Sequence, residues 1–253
     1  MFSEEFQAVA NAAAVKTGFL RKNPVGYFLM SMLAGIYIGF GVLLTNTIGG
    51  VLAGAPATKI VMGAAFGVAL SLVVMAGAEL FTGNNLVMTA GILEKKISAG
   101  DAVKLWVVCW IGNLAGSAVL AVIYHLTGLG AGAVGEFMAA GAFAKMTAGP
   151  IQLITRGLLC NFLVCLAVWC GTKLKSESGK LIMIFWCLFA FITTGFEHSI
   201  ANMTLLTEAL LNPAGQAVTI GGYWYNLILV TAGNMIGGIV FVALPYFAAS
   251  KRD

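Results

Sequence analysis

Long apolar stretches alternate with short polar ones along this chain, and the lengths of the apolar stretches decide the reading. Six of them, roughly 27–52, 60–81, 105–125, 149–171, 181–206 and 226–248, each hold the ~20 apolar residues that cross a bilayer as a helix. Turn-forming residues and most charges fall between them. Ahead of the first stretch, Phe2, Phe6, Val9 and Ala13 recur at helical spacing. They predict a short amphipathic helix within residues 1–24, lying at the membrane surface. The same segment lacks the basic-then-apolar order of a cleavable signal.

Composition agrees with that pattern. Of 253 residues, 60% are hydrophobic and 9% charged, where a soluble domain carries about 25% charged residues. Such a chain cannot clothe a water-facing surface, so lipid is the solvent for most of it. Eleven Lys and Arg residues fall at the termini and in the second and fourth loops, against Lys59 and Lys145 on the other side. The excess predicts that both termini are cytoplasmic, as an even number of spans requires. Arg156 alone stays inside a span, where it either snorkels to the interface or faces a polar cavity. The net charge of +4 is spread over loops, leaving no basic cluster to grip a nucleic acid. The five cysteines lie in apolar runs with no C-x-x-C or Cys/His cluster, so neither disulfides, a zinc site nor another cofactor is expected.

Within the spans a repeat is visible. Residues 77–84 read GAELFTGN and residues 195–202 read GFEHSIAN, both fitting G-x-E-x-x-x-x-N. GNLAG begins at Gly112 and GNMIG at Gly233, so two motifs recur in the same order, 118 and 121 residues apart. Three spans per half make the second half enter the membrane from the opposite side. The expectation is therefore one all-α transmembrane domain over 1–253, an inverted 3+3 repeat divided into 25–128 and 129–253. Its second and fifth helices would be broken, the first after Thr82 by Gly83, Asn84 and Asn85, the second by Thr193, Thr194 and Gly195. Broken helices are tolerated in a membrane only where they line a cavity or are buried in protein. The GNxxG elements supply small faces for close helix contact.

A charge at membrane depth costs about 2.5–3.5 kcal/mol even on lenient scales. Glu79 and Glu197, with Asn84 and Asn202, belong to the repeated frame and are read as scaffold groups that hold the breaks in shape. His198 has no counterpart, since Leu80 occupies the matching position. An unduplicated imidazole beside a helix break is placed where a pore would run. Asn161 is a second neutral polar group at depth, suited to fixing a histidine tautomer or joining helices. His125, at the end of the third span, is read as interfacial.

At these residues the chain resembles the formate/nitrite transporter family along nearly its whole length. The motifs are AELFTGN, LCNFLVCLAVW in the fourth span, and GFEHSIANMT in the fifth, the second being most similar to the nitrite-channel branch. The resemblance implies an aquaporin-like six-helix protomer in a homopentamer of the bacterial cytoplasmic membrane, each protomer with its own pore for a small anion such as nitrite, formate or hydrosulfide. It further implies that Thr82 faces His198 with Asn161 hydrogen-bonding the histidine. Phe66, Leu80, Phe81 and Val164 would constrict the cytoplasmic side, Phe191 the other, and Lys145 would attract anions at the outer entrance. A neutral-solute channel would share the fold, but the N-P-A loop pair is absent. An enzyme is disfavoured: there is no G-x-S-x-G or zinc-ligand spacing, and Ser199 adjoins His198 in sequence, where neighbours on a helix do not face each other.

Overall fold

The computed structural model describes residues 2–251; Arg252, one of the eleven cations counted above, lies outside them. All regular structure among the described residues is helical. Helix α1 (Ser3–Lys22) precedes α2 (Pro24–Val51), α3 (Thr58–Leu72), α4 (Phe81–Leu93) and α5 (Ala99–Leu126). Then come α6 (Gly132–Thr147), α7 (Pro150–Lys173), α8 (Glu177–Thr194), α9 (Ser199–Leu211), α10 (Ile220–Gly238) and α11 (Leu244–Ser250). A wide π-helical turn, Val73–Gly77, ends α3, and another, Ile239–Ala243, joins α10 to α11. Among the described residues, six helical segments are long and apolar enough to span a bilayer; each overlaps one of the six apolar stretches, but the second ends at Gly77 rather than 81 and the fifth at Thr194 rather than 206.

The second and fifth spans are interrupted, each followed by a 13-residue half-helix, α4 and α9. Thirteen residues rise about 20 Å, enough to run from mid-membrane to one face. The first break lies upstream of where Gly83, Asn84 and Asn85 would put it. Chain direction changes at Gly77, and Ala78 to Leu80 run extended before α4 begins at Phe81. The cause is conformational: Gly77 adopts φ +82° and Gly195, at the second break, φ +83°, a region open to glycine but strained for residues with a Cβ. Gly83 to Asn85 continue as buried helix. The two breaks are thus made by glycines 118 residues apart, each at a positive φ of nearly the same value.

Two expectations change at the ends of the halves. The apolar stripe of α1 does not rest on lipid: Phe6, Val9, Ala10 and Ala13 are fully buried against the protein. Phe2 and Phe6 pack on Trp169 of α7 and on Tyr246 and Phe247 of α11. The link between the halves contains α6, a helix where only a loop was expected. Its sequence, GAVGEFMAAGAFAKMT, is too rich in glycine and alanine to show a clear apolar stripe. Helix α6 stands to the second half as α1 stands to the first. The GNxxG faces behave as expected from their small residues: a Cβ at Gly116 or Gly237 would collide with the backbone carbonyl of Met32 or Leu158.

Candidate functional site

Each break is held by the same set of side chains, one set per half. Asn113 of α5 accepts a hydrogen bond from Phe81 N (3.0 Å) and donates to the carbonyls of Ser31 (2.7 Å) and Glu79 (2.9 Å). Asn234 of α10 accepts from Ser199 N (2.9 Å) and donates to Gly157 O (2.7 Å) and Glu197 O (3.0 Å). These asparagines, the second letters of the GNxxG motifs, satisfy the free N–H at the start of each half-helix and the stranded carbonyls of the break. The glutamates therefore do not cap the half-helices.

The carboxylates are instead centres of charge compensation. Lys16 of α1 donates to both oxygens of Glu79 (2.7 Å each), and Asn84 adds a bond of 3.0 Å. Lys145 of α6 donates to both oxygens of Glu197 (2.8 Å each), and Asn202 adds one of 2.7 Å. The lysines come from the two helices outside the spans. Beyond that frame the halves differ: Tyr27 donates its hydroxyl to Glu79 (3.1 Å), while Asn202 donates to Asn226, which donates to Lys145 O.

His198 is the N-cap of α9. Its Nδ1 accepts from Ala201 N at 3.1 Å, and its Nε2 lies 3.0 Å from Thr82 Oγ1. A ring nitrogen that accepts from a backbone N–H carries no hydrogen, so in the neutral ring Nε2 bears the proton and aims it toward Thr82. Protonating Nδ1 would break the cap bond. Leu80, the counterpart, cannot cap α4, so the histidine adds an N–H donor at one break only.

Around this donor the protein is narrow. A cavity of about 410 Å³ opens on the α1 side, lined in part by Lys16, Met30, Glu79 and Leu80. Another of about 210 Å³ opens on the α6 side and reaches Lys145, Phe191, His198 and Asn202. Between them lies a pocket of about 10 Å³ containing Phe66, Leu80, Val164, Phe191 and His198, at the limit for a single water. Phe191 stacks on the histidine ring at 6.0 Å, and Phe66 meets Phe191 edge-on at 5.5 Å.

Two expected constriction residues move. Phe66 lines the α6-side cavity with Phe191 rather than the α1-side cavity, because it stands one turn farther from the break than Leu70, which lines the α1 side. Phe81 lines neither cavity nor the central pocket; it faces a lateral apolar cavity with Trp106 and Trp110, drawn toward α5 by its backbone bond to Asn113. Ile38, Leu70 and Leu188 also wall the central pocket; as ordinary aliphatics in apolar runs they carry no sequence signal.

Asn161 does not hydrogen-bond His198. Its Nδ2 lies within bonding distance of Thr82 O (3.2 Å), Asn85 Oδ1 (2.9 Å) and Asn234 O (2.7 Å). It ties α4 to α10 and holds the backbone of Thr82, acting on the threonine's position rather than on the imidazole. The cysteines are all free. His125 is not idle at the interface, for its Nδ1 lies 3.3 Å from Glu208 Oε1, a carboxylate buried in α9 that the sequence did not single out.

Two cavities meeting at an apolar neck, with one N–H donor in the neck and mirrored ion pairs on either side, define a multi-pass membrane protein of the channel or transporter class. The chain belongs to the formate/nitrite transporter family, whose model matches residues 3–248. It is 40% identical to the nitrite transporter NirC of Escherichia coli over 254 aligned residues, covering 100% of this chain and 94% of that one. It is 38% identical to a probable formate transporter of Methanothermobacter thermautotrophicus, covering 96% of each chain. Among solved structures it superposes on an FNT family ion channel with a TM-score of 0.94 at 38% identity, covering 99% of this chain and 100% of the other. A pentameric formate channel with formate bound gives 0.80 at 32% identity, covering 90% and 98%.

Proposed function

We propose that the protein carries small monovalent weak-acid anions, nitrite first among them, across the bacterial cytoplasmic membrane, with both termini in the cytoplasm and one pore in each protomer of a homopentamer. The observation that carries the reading is His198: a single Nε2–H donor in an apolar neck between two cavities, one reaching Lys16 and Glu79 and the other Lys145 and Asn202. Full dehydration of an anion between Leu80 and Phe191 would be prohibitive. Near the neck, the Nε2–H of His198 and the hydroxyl of Thr82 replace part of the lost hydration. A weak acid has a further route, because a proton taken up from water in the cavity lets it cross the neck as the neutral acid, with His198 acting as a hydrogen-bond donor and giving up no proton. Nitrite is favoured by the nitrite transporters among the relatives, and formate is the second reading, from the formate channel and transporter.

The same hydrogen bonds argue against an enzyme. Thr82 is the hydroxyl beside the imidazole, but a ring whose Nε2 carries the proton and whose Nδ1 caps α9 cannot serve as its general base. The experiment is nitrite and formate flux in proteoliposomes with His198→Phe, which keeps the ring stack and removes the N–H. Flux should fall at least tenfold, about the cost of one charge-assisted hydrogen bond. Unchanged flux would refute the role of His198.

A further inference from the structure

We infer that Thr45 and Asn46 of α2 form a subsite in the α6-side cavity for the neutral weak acid, accepting the hydrogen bond of its O–H beside the neck. Both residues line that cavity together with Val42, Lys145 and His198. Both are nearly buried, at 3% and 7% exposure, while Phe40, Leu44 and Val51 carry the lipid face of α2. Asn46 Nδ2 donates to Val42 O at 2.8 Å. That bond fixes the amide's orientation, because the opposite one would set oxygen against oxygen. Asn46 Oδ1 has no hydrogen-bond partner among the described residues, yet protein does not enclose it, so it opens on the cavity. Thr45 Oγ1 likewise gives its hydrogen to Gly41 O at 2.9 Å and has only lone pairs left to offer.

The α2 wall of the cavity therefore presents two acceptors and no free donor. A bare anion brings no hydrogen to such a wall, whereas a protonated weak acid brings one O–H. The polar hydrogens of the cavity come from its other walls, from His198 at the start of α9 and Lys145 of α6. Nitrous and formic acids each carry one O–H and a second oxygen that accepts, which suits donors on one wall and acceptors on another. An acid O–H is a stronger donor than a water O–H, so exchange with a cavity water at Oδ1 keeps the bond and favours the acid. The other half lacks the device. Asn113 bonds Ser31 O where Asn234 bonds Gly157 O, 126 residues on. The same step carries Val42 onto Val168, which lines the α1-side cavity. Thr45 and Asn46 then match Gly171 and Thr172, neither of which lines that cavity.

The inference rests on the reading that weak-acid anions are carried by this protein, and the experiment separates the two. Initial rates of nitrite and formate uptake into proteoliposomes, corrected for protein-free vesicles, are measured against concentration for wild type, Asn46→Val and Asn46→Thr. Measurements at about pH 5.5 and about pH 7.5 change the neutral-acid fraction about a hundredfold. Valine and threonine share a shape, but threonine can donate to Val42 O and still present an oxygen, as Thr45 does over Gly41 O. Asn46→Val should raise the half-saturating concentration about fivefold at the lower pH, the order one neutral hydrogen bond sustains, and less than about twofold at the higher. Asn46→Thr should stay within about twofold of wild type at both. Lys145, Glu197 and His198 also titrate beside the cavity, but alike in the two variants, so the ratio of Asn46→Val to Asn46→Thr reads the acceptor alone. Equal curves for the two variants, or a ratio that does not change with pH, overturn the inference while leaving transport intact. So does an Asn46→Val that fails to assemble where Asn46→Thr assembles, which assigns the oxygen to stability. A wild type that carries neither nitrite nor formate overturns the proposed function itself.

Discussion

Lys145→Met should destabilise the protein far more than the double variant Lys145→Met/Glu197→Gln. The Glu197 side chain is 3% exposed and Lys145 is 24% exposed, so removing the lysine strands a carboxylate at membrane depth with only Asn202 bonded to it. Breaking a buried ion pair from one side costs about 3–5 kcal/mol, whereas replacing both partners by neutral groups of similar volume is often close to neutral. Glutamine at 197 keeps an acceptor for Asn202 Nδ2, so the double variant loses the charges but retains that bond. At about 2.1 cal/mol/K of unfolding entropy per residue, the single variant should melt roughly 6–9 °C lower and the double variant within about 2 °C of wild type. Thermal unfolding in detergent, followed by tryptophan fluorescence, measures both. The same pair of substitutions in the other half gives an internal comparison, because Glu79 is more exposed, at 13%, and Tyr27 still donates to it. Lys16→Met should therefore cost less than Lys145→Met. Equal melting temperatures for the single and double Lys145 variants would refute the view that the lysine is there to compensate the glutamate.

Asn234→Leu removes three hydrogen bonds at the second break and Asn113→Leu the matching three at the first, each stranding groups worth about 1–3 kcal/mol apiece; both variants should express poorly or melt well below wild type, and a variant indistinguishable from wild type would remove the asparagines from the frame. Deletion of residues 1–20 should weaken any closure of the pore at acid pH, but it also takes Lys16 from Glu79, so Lys16→Gln in the full chain separates the two effects: acid-dependent flux lost in the deletion and kept in Lys16→Gln assigns closure to the helix covering the cavity, and loss in both assigns it to the charge.

How much of this was legible in the sequence depends on the range of the interactions. The six spans were legible because lipid imposes a length and a composition on each of them separately. The break at Gly195 was legible because a local residue makes it. The first break was misplaced by a few residues because Gly83, Asn84 and Asn85 resemble a helix end locally. Asn113, 32 residues away from Phe81, is what starts α4 earlier. Asn113 and Asn234 stood inside the recognised GNxxG motifs, yet their capping role is a contact between spans that no spacing within one span reveals. Lys16 and Lys145 were visible as charges, but their bond to the glutamates of the breaks depends on α1 and α6 folding back over the cavities. The Gly/Ala-rich pattern of α6 concealed that second helix.

The repeat was nonetheless the most productive signal, because it divides the polar residues into those the frame requires twice and those it does not. Glu79 with Glu197, Asn84 with Asn202, Asn113 with Asn234, and Lys16 with Lys145 recur with closely matched bonds, and a device needed at both breaks serves architecture. Leu80 against His198 breaks the match: Leu80 lines the α1-side cavity and the neck, and His198 lines the neck and the α6-side cavity. Anion passage through an otherwise pseudo-symmetric protein thus has polarity built into its chemistry: a single N–H in the neck, with no equivalent at the matching position.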